Sequence, residues 1–433
     1  MTEMIENTAA PGRNLPPEGL ILGAESHGPL SSAPVLQWTT GAGDHIVATS
    51  HHGFGYKATN EDRVAIIELE DGEAVNLFVV DGMGGRDHGD LAAQILAEEL
   101  VFAARPPESD YDREVRNFVQ DRIETVLWQL PTRELIQRVL KRWRKSAEDH
   151  DRGMDPRVSI RLALEAVNSE SMRVDDTSPD RLRRIAEVLQ TLAGMTPPDA
   201  VEIAVRRTQR RIVIQHPGSS PPDACFVGAI VATDAEGRRS ADVRQVGDCR
   251  MFVASADGAV RFRTIGESVI PEPNLNSPNV ALTDLMAYSL HRNLVRNSVN
   301  AANAALKRYR KQDVPVPLES GDMVFVYSDG VDDLFSPEEL VGMVLEKGPA
   351  AFVQELLEHS ERRMKHVAGL LMAERKKLPP AQQMRAYPLV HERLNRARLK
   401  NGKFEERYVD GTSQSWTKPP KCDNTSICMM VVG

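Results

Sequence analysis

The sequence predicts an α+β fold in which short strands form antiparallel meanders and the helices gather in separate stretches. Apolar runs joined by Asp-Gly turn signals recur over residues 45–80 and 224–264, a pattern that is typical of hairpin-connected strands. Helical periodicity dominates residues 106–216 and 349–412 instead. Because a parallel α/β sheet would alternate single strands with single helices, this separation favours the α+β class.

Composition and length indicate a soluble globular protein with insertions. The chain has 433 residues, of which 41% are hydrophobic and 27% are charged, as in ordinary globular proteins. It is too long for one common domain unless that domain is enlarged. The longest apolar runs, at 224–232 and 323–327, are far shorter than the roughly 18 residues of a membrane span, so we expect no membrane association.

The N-terminus and the cysteine content favour the cytoplasm. No basic segment followed by an apolar segment is visible at the start of the chain, so no secretory signal is predicted. Four scattered cysteines are too few for a disulfide framework. The formal net charge of −9 argues against nucleic acid as the main partner.

The first half of the chain is predicted to run from a tail through three strands to a helix. Residues 1–35 are rich in Pro, Gly and Ser, which predicts a disordered tail. The runs "HIVATSHHG", "RVAIIELE" and "AVNLFVV" are typical of strands, and Asp71-Gly72 marks a turn between the last two. "GDLAAQILAEELVFAA" then presents the apolar face of a helix.

The second half is predicted to add a meander, further helices and two more strands. Residues 224–264 are expected to form the meander, and 280–311 are expected to be helical. "DMVFVYSDG" is typical of a buried strand. Ser336 and Glu339 have the spacing of a capping box at a helix start, and "DNTSICMMVV" predicts a final strand.

We therefore expect one domain over residues 36–433, with helical insertions at about 106–216 and 360–415. The insertions contain the arginine clusters "KRWRK", "RLRR" and "RRTQRR". Such clusters are usually solvated helix faces, although they could also contact an acidic partner or nucleic acid. The acidity of the whole chain favours the solvated interpretation.

Carboxylates recur where predicted strands end. They are Glu61, Asp62, Asp81, Asp248, Asp329 and Asp423. A single Asp-Gly pair, such as Asp81-Gly82, is most often a turn. Carboxylates that converge from several strand ends could instead hold hard divalent cations, which prefer oxygen ligands. Spacing does not decide between these two interpretations, because the residues are far apart in the chain.

Five stretches, taken in order, resemble the motifs of the metal-dependent PPM, or PP2C-type, serine/threonine protein phosphatases. They are "GYKATNEDR" (55–63), "VVDGMGG" with Gly89 following (79–89), "VGDCRMFV" (246–253), "GDMVFVYSDGVDD" (321–333) and "DNTSICMMVV" (423–432). The resemblance covers the strand-rich core and not the tail or the long helical insertion. It implies a four-layer αββα sandwich of two antiparallel sheets flanked by helices, with a binuclear metal centre at one end.

The resemblance also implies the reaction and the residues that serve it. Two Mg²⁺ or Mn²⁺ ions would activate a bridging water that hydrolyses phosphoserine and phosphothreonine in a phosphoprotein substrate. Asp81, Asp329 and Lys57 are the predicted catalytic residues. The predicted metal ligands are Asp81 as the bridge, the Gly82 carbonyl, Glu61 and Asp62 for the second ion, Asp329 and Asp423 for the first, and Asp248 for a third and weaker ion.

Several positions depart from the family pattern. Lys57 stands where an arginine usually grips the phosphate, and lysine lacks the bidentate fork. Arg63 or Arg86 could replace it, although both are more simply surface charges. Met83 stands where many eukaryotic members have a histidine. Cys249 replaces the usual serine, a small change that we expect to affect packing only.

Two further classes of function stay open beside the phosphatase. The first is a weak or inactive pseudophosphatase that acts as a binding module, with a regulatory partner at the helical insertion; Lys57 supports this class. The complete carboxylate set opposes it, because an inactive protein has no need to keep mutually repelling acids. The second is nucleic-acid binding through the arginine clusters, which the net charge disfavours.

Overall fold

The computed structural model describes residues 19–23, 33, 35–53, 59–69, 74–83, 88–104, 137–141, 187–188, 191, 199–216, 222–270, 272–273, 280–291, 294–299, 310–312, 314–401, 404–407, 413–416 and 423–433. The chain divides into two compact units. The first consists of Met1–Ala104 and Ala204–Gly433, and the second of Arg105–Ile203. The second unit covers most of the predicted insertion at 106–216, and its described residues at 137–141, 187–188 and 191 are helical.

The described strands and helices follow one another in this order. The strands are β1 (Leu20–Leu22), β2 (Val35–Thr39), β3 (His45–His51), β4 (Asp62–Leu69), β5 (Ala74–Gly82), β6 (Ala224–Thr233), β7 (Arg239–Val246), β8 (Arg250–Ala254), β9 (Val260–Arg263), β10 (Arg310–Lys311), β11 (Val316–Leu318), β12 (Met323–Tyr327), β13 (Phe404–Arg407), β14 (Ser413–Trp416) and β15 (Thr425–Val431). The helices are α1 (Gly89–Ala104), α2 (Ala200–Gln215), α3 (Leu282–His291), α4 (Asp329–Asp332), α5 (Pro337–Lys347), α6 (Pro349–Arg375) and α7 (Ala386–Asn401), with a 3₁₀ helix at Pro380–Arg385.

Two antiparallel sheets make up the first unit. The first sheet has the order β1-β4-β5-β6-β7-β10, with β11 also pairing with β7. The second has the order β2-β3-β15-β12-β8-β9. A separate ribbon pairs β13 with β14. The C-terminal strand β15 pairs with β3, so the last motif of the sequence lies beside an early strand of the core.

Alternation along the strands explains how the sheets pack. Val324 and Val326 of β12 face the inner core, which also contains Leu77 and Val79 of the opposite sheet. Successive residues of a strand point to opposite faces, so Phe325 turns outward into a second cluster formed with α5 and α6. Helix α1 covers the outer face of the other sheet at β4 and β5. The α+β class and the four-layer αββα sandwich are thereby confirmed.

The predicted capping box forms at the start of α5. The Ser336 hydroxyl accepts the Glu339 backbone N–H at 3.3 Å, and the Glu339 carboxylate accepts the Ser336 N–H at 2.8 Å. Two N–H groups that the helix itself cannot satisfy are paired in this way. Ser336 is itself buried, so the cap also fixes where the chain leaves β12 and α4.

Three predicted elements differ from the structure. Leu20–Leu22, inside the predicted disordered tail, pairs with β4, because three apolar residues suffice to extend an open sheet edge. Within 280–311, the described helix is Leu282–His291, whereas 294–299 run extended and bridge to other segments. The helices expected to continue to residue 412 give way to β13 and β14. The sequence between these two strands contains an Asp-Gly pair, a turn signal that favours a hairpin.

The predicted meander at 224–264 is in fact divided between the sheets. β6 and β7 belong to the first sheet, whereas β8 and β9 belong to the second. The chain crosses between the sheets over residues 247–249, the centre of the "VGDC" motif. Alternating hydrophobicity marks each strand but not the sheet it joins, so this crossing had no sequence signal.

No helix among the described residues is long and apolar enough to cross a membrane. Three of the four cysteines, Cys225, Cys249 and Cys428, are buried free thiols that pack into the inner core. The prediction that Cys249 simply packs is confirmed.

Candidate metal centre

The first sheet brings two predicted ligands side by side. Asp62 on β4 lies directly opposite Asp81 on β5. Beyond them the Gly82 backbone N–H donates to the Glu61 carbonyl at 3.0 Å. This backbone hydrogen bond holds Glu61 beside Gly82. Both residues lie at strand ends where the sequence predicted metal ligands.

The second sheet has its own pair of aspartates: Asp329 lies after the end of β12, and Asp423 lies before the start of β15. Asp329 opens α4 directly after β12, and the Ser328 N–H donates to the Ser426 carbonyl at 3.0 Å. A side chain at Gly330 would overlap the Asn424 carbonyl. Because glycine has no such side chain, α4 lies against the segment that contains Asp423.

Polar side chains join the two sheets behind these aspartates. The Asn424 Oδ1 atom accepts the Glu61 N–H at 3.4 Å. The hydroxyls of Ser50 and Ser426 lie 2.7 Å apart, and Asn60 Nδ2 donates to Ser50 Oγ at 2.8 Å. Because satisfied buried hydrogen bonds make a polar network rigid, these contacts tie the strand ends of the two sheets together.

The electrostatics of Asp81 show which carboxylates share its surroundings. Burial raises the pKa of Asp81 well above its ordinary value, and four other carboxylates raise it further. In order of effect they are Asp329, Asp62, Asp248 and Asp423. Like charges nearby disfavour the ionised form of an acid. Five carboxylates from distant parts of the sequence therefore converge at one end of the sandwich.

The structure places the predicted ligands close together without arranging them as a coordination shell. Asp62 and Asp248 are buried, whereas Asp81, Asp329 and Asp423 keep part of their surface exposed. Across the described part of the chain, no three His, Cys, Asp or Glu side chains form a metal-binding group. The ligand assignments accordingly stay predictions.

The donor set nevertheless fits hard divalent cations. Carboxylate oxygens are the ligands that Mg²⁺ and related ions prefer, and the mutual repulsion at Asp81 is what bound positive charge would relieve. The backbone around the cluster is also tight: a Cβ on Gly82 would lie 2.7 Å from the Glu61 carbonyl and would overlap the Gly89 carbonyl. Only glycine can stand beside Asp81 with this backbone.

Three of the residues discussed for phosphate binding have different outcomes. Lys57 and Arg86 lie outside the described residues. Arg63 is buried and not a surface charge, so that expectation was wrong. Its guanidinium binds the Gln94 side chain at 2.7 Å and the Asn60 carbonyl at 2.9 Å. Arg63 therefore faces α1, on the opposite side of β4 from Asp62, and does not replace Lys57.

An ion-pair network beside the cluster was missed by sequence reasoning. Arg250, at the start of β8, lies 3.2 Å from Asp332 of α4 through Nε and 2.9 Å from Glu272 through Nη1. Burial alone would lower the pKa of Arg250, but these two carboxylates raise it overall. The network connects α4, and so Asp329, to β8. The one sign of this network in the sequence is Arg250, the charged residue at the end of "GDCR".

The comparison with protein families now decides the affiliation of the chain. A family model described as Protein phosphatase 2C matches residues 52–371. The chain belongs to the protein phosphatase 2C family. Its matched range contains four of the five motifs in whole and leaves out the last, "DNTSICMMVV".

Three solved structures similar to this phosphatase 2C chain come from bacteria. A serine/threonine phosphatase from S. agalactiae is 13% identical, covers 90% of this chain and 100% of its own, and has a TM-score of 0.44. A serine/threonine phosphatase from Mycobacterium tuberculosis is 14% identical, covers 90% and 98%, and has a TM-score of 0.41. One from Staphylococcus aureus is 13% identical, covers 98% and 99%, and has a TM-score of 0.39. None of the curated proteins compared with the sequence matches it.

Proposed function

We propose that this protein hydrolyses phosphoserine and phosphothreonine in proteins in a reaction that depends on divalent metal ions. The observation that carries the proposal is the convergence of four aspartates on Asp81 in a chain of the phosphatase 2C family. A similar solved structure, the catalytic domain of the serine/threonine protein phosphatase PstP, is described in complex with two manganese ions. Mg²⁺ or Mn²⁺ is accordingly the cofactor that we propose here.

The residues proposed to hold two ions, and a third and weaker one, are those predicted from the sequence. They are Glu61, Asp62, Asp81, the Gly82 carbonyl, Asp248, Asp329 and Asp423. When bound, such ions lower the pKa of a water, orient it and stabilise negative charge on a phosphoryl group.

The chain itself supplies position and charge. Asp62 and Asp81 are held by the register of β4 and β5, and Asp329 is held at the start of α4. Because these side chains stand on strands and on a packed helix, they can keep a fixed arrangement through turnover. We propose that Lys57 contacts the substrate phosphate as a point charge, without a bidentate fork.

Phosphate release from a phosphothreonine peptide tests the proposal directly. The purified chain should release phosphate with Mn²⁺ or Mg²⁺ and should stop when a chelator is added. Asp81→Asn and Asp329→Asn should each lower the metal-dependent rate by at least about 100-fold, because each removes a charged ligand worth several kcal/mol. Arg396→Gln, on an exposed surface of α7, is the control and should keep the wild-type rate.

Each outcome of that assay separates the phosphatase from its alternative. Unchanged turnover in Asp81→Asn would remove the metal assignment. Calorimetric binding of Mn²⁺ without phosphate release would instead indicate the pseudophosphatase that acts as a binding module. The regulatory partner proposed for the helical insertion stays a prediction, because most of 106–216 lies outside the described residues. The cytoplasmic location also stays a prediction.

A further inference from the structure

Glu267 is a buried carboxylate that belongs to no motif of the chain. It follows β9 in the stretch "TIGESVI" and is only 6% exposed. Its Oε2 atom accepts the Gly247 backbone N–H at 3.0 Å and the Asn297 Nδ2 group at 3.1 Å. Its own backbone N–H donates to the Gly247 carbonyl at 2.9 Å. Glu267 thus binds both backbone groups of the residue that precedes Asp248.

The side chain of Gln245 also binds the backbone of this turn. This residue is the last but one of β7, and its polar side chain is buried, 4% exposed. Its Nε2 group lies 3.3 Å from the Gly247 carbonyl, 3.0 Å from the Cys249 carbonyl and 3.2 Å from the Ile265 carbonyl. The carbonyls on both sides of Asp248 are therefore held by one amide.

The turn that these two residues hold is the point where the chain crosses between the sheets. No strand ladder satisfies the backbone there, and buried backbone groups need partners. Asp248 itself is buried. Whatever fixes residues 247–249 therefore fixes the direction from which the Asp248 carboxylate approaches the cluster.

We infer that Glu267 and Gln245 are positioning residues that set the Asp248 carboxylate for metal binding. The inference rests on the proposed function, since it assigns a role toward ions that Asp248 would hold. Glu267 also receives the Asn297 amide, and the Glu267 carbonyl accepts the Arg296 N–H at 2.7 Å. Glu267 thus connects the segment at 294–299 to Gly247, the residue before Asp248.

Calorimetric titration of Mn²⁺ into the full chain tests this role without relying on turnover. Glu267→Leu removes the acceptor and should weaken the weakest resolved Mn²⁺ affinity by about 10-fold or more, as loss of a residue that orients a ligand commonly does. Glu267→Gln keeps an oxygen that can accept the Gly247 N–H, so its affinity should stay within about threefold of wild type. The tighter Mn²⁺ events, assigned to the Asp81 cluster, should persist in both variants.

Glu99→Leu is the matched control for the loss of a buried carboxylate. Glu99 lies on α1, is 3% exposed, and pairs with Arg207 and Arg211. Its loss should lower the melting temperature without changing Mn²⁺ affinity. If Glu267→Leu does not fold, Gln245→Met tests the same turn, because it keeps the side-chain volume and removes the amide.

The outcomes distinguish this inference from the proposed function. Wild-type protein that binds no Mn²⁺ would overturn the metal proposal and, with it, the positioning role. Wild-type protein that binds Mn²⁺ while Glu267→Leu and Gln245→Met bind it equally well would overturn the positioning role alone. Equal weakening by Glu99→Leu would also overturn it, because the effect would then follow stability and not position.

Discussion

The carboxylate of Asp81 lowers the stability of the metal-free protein. Burial and four neighbouring aspartates raise the pKa of its carboxyl well above the ordinary value. A folded-state pKa above the unfolded-state value means that the ionised form of Asp81 opposes folding near neutral pH. The ionised residue therefore lowers stability, and bound positive charge, as proposed above, would relieve that cost.

Asp81→Asn should accordingly stabilise the metal-free protein. In the presence of a chelator at pH 7, we expect its melting temperature to rise by about 1–2 °C, the shift that roughly 1 kcal/mol produces in a unit of more than 300 residues. Added Mn²⁺ should then stabilise the variant less than it stabilises the wild type. Differential scanning calorimetry with and without chelator measures both effects.

Asp322→Asn is the matched control for this prediction. Asp322 is also a buried aspartate, but its carboxylate accepts the Glu319 N–H at 2.7 Å and pairs with Arg261. Its loss should lower the melting temperature, because a satisfied acceptor and an ion pair are removed. A decrease for metal-free Asp81→Asn as well would contradict the like-charge interpretation.

Arg63 shows how a single residue can be misjudged from sequence. Next to "NED", it had the local features of an exposed cation. Its position one residue after Asp62 on a strand turns it to the opposite face, where α1 covers it. The helix that buries Arg63 is decided by packing, which a local pattern does not contain.

At the scale of elements, the site depends on backbone contact between α4 and the segment before β15. Gly330 in α4 allows this contact, since a Cβ there would overlap the Asn424 carbonyl. Arg250 and Asp332 hold the same helix from its other side. The short helix that starts with Asp329 therefore contacts β8 on one side and the segment before β15 on the other.

Gly330→Ala should destabilise the protein by about 1–3 kcal/mol, the usual cost of inserting a methyl group into a closely packed region. Gly342→Ala is the control, since Gly342 lies exposed in α5 with no atom within 4 Å of an added Cβ. That change should stabilise by roughly 0.5–1 kcal/mol through helix propensity. Urea denaturation measures both, and an equal effect of the two substitutions would contradict the contact.

At the scale of the whole first unit, long-range contacts bind the helical layer to the site end of the sandwich. Arg363 of α6 is almost fully buried. It pairs with Glu339 of the α5 capping box at 2.9 Å, binds the Leu334 carbonyl, and lies 4.3 Å above the Phe335 ring. Residues near 360 are therefore part of the outer helical layer. They do not behave as the start of a separate insertion.

Arg363→Leu should destabilise the protein by about 3–5 kcal/mol, because it leaves Glu339 without the partner in a buried ion pair. Arg396→Leu removes the exposed pair with Glu392, where Arg396 is 63% exposed, and should change stability by no more than about 1 kcal/mol. Thermal and urea unfolding of the two variants give the comparison. Similar losses would show that burial does not control the strength of these pairs.

The sequence by itself determined the α+β class, most strand positions, the α5 capping box and the set of aspartates at strand ends. These features depend on local periodicity, turn chemistry and side-chain type, which are all present in a short window of sequence. The ordered motifs added the family resemblance and the sandwich, which the structure confirms.

Only the tertiary structure decided which strands share a sheet and what surrounds each charge. The crossing between the sheets at 247–249, the burial of Arg63 and the contacts of Glu267 with Gly247 join residues that are distant in the chain. The register of antiparallel strands and the close approach of Gly330 to Asn424 bring the aspartates together. Such contacts depend on how whole layers pack, and packing is a property of the complete chain.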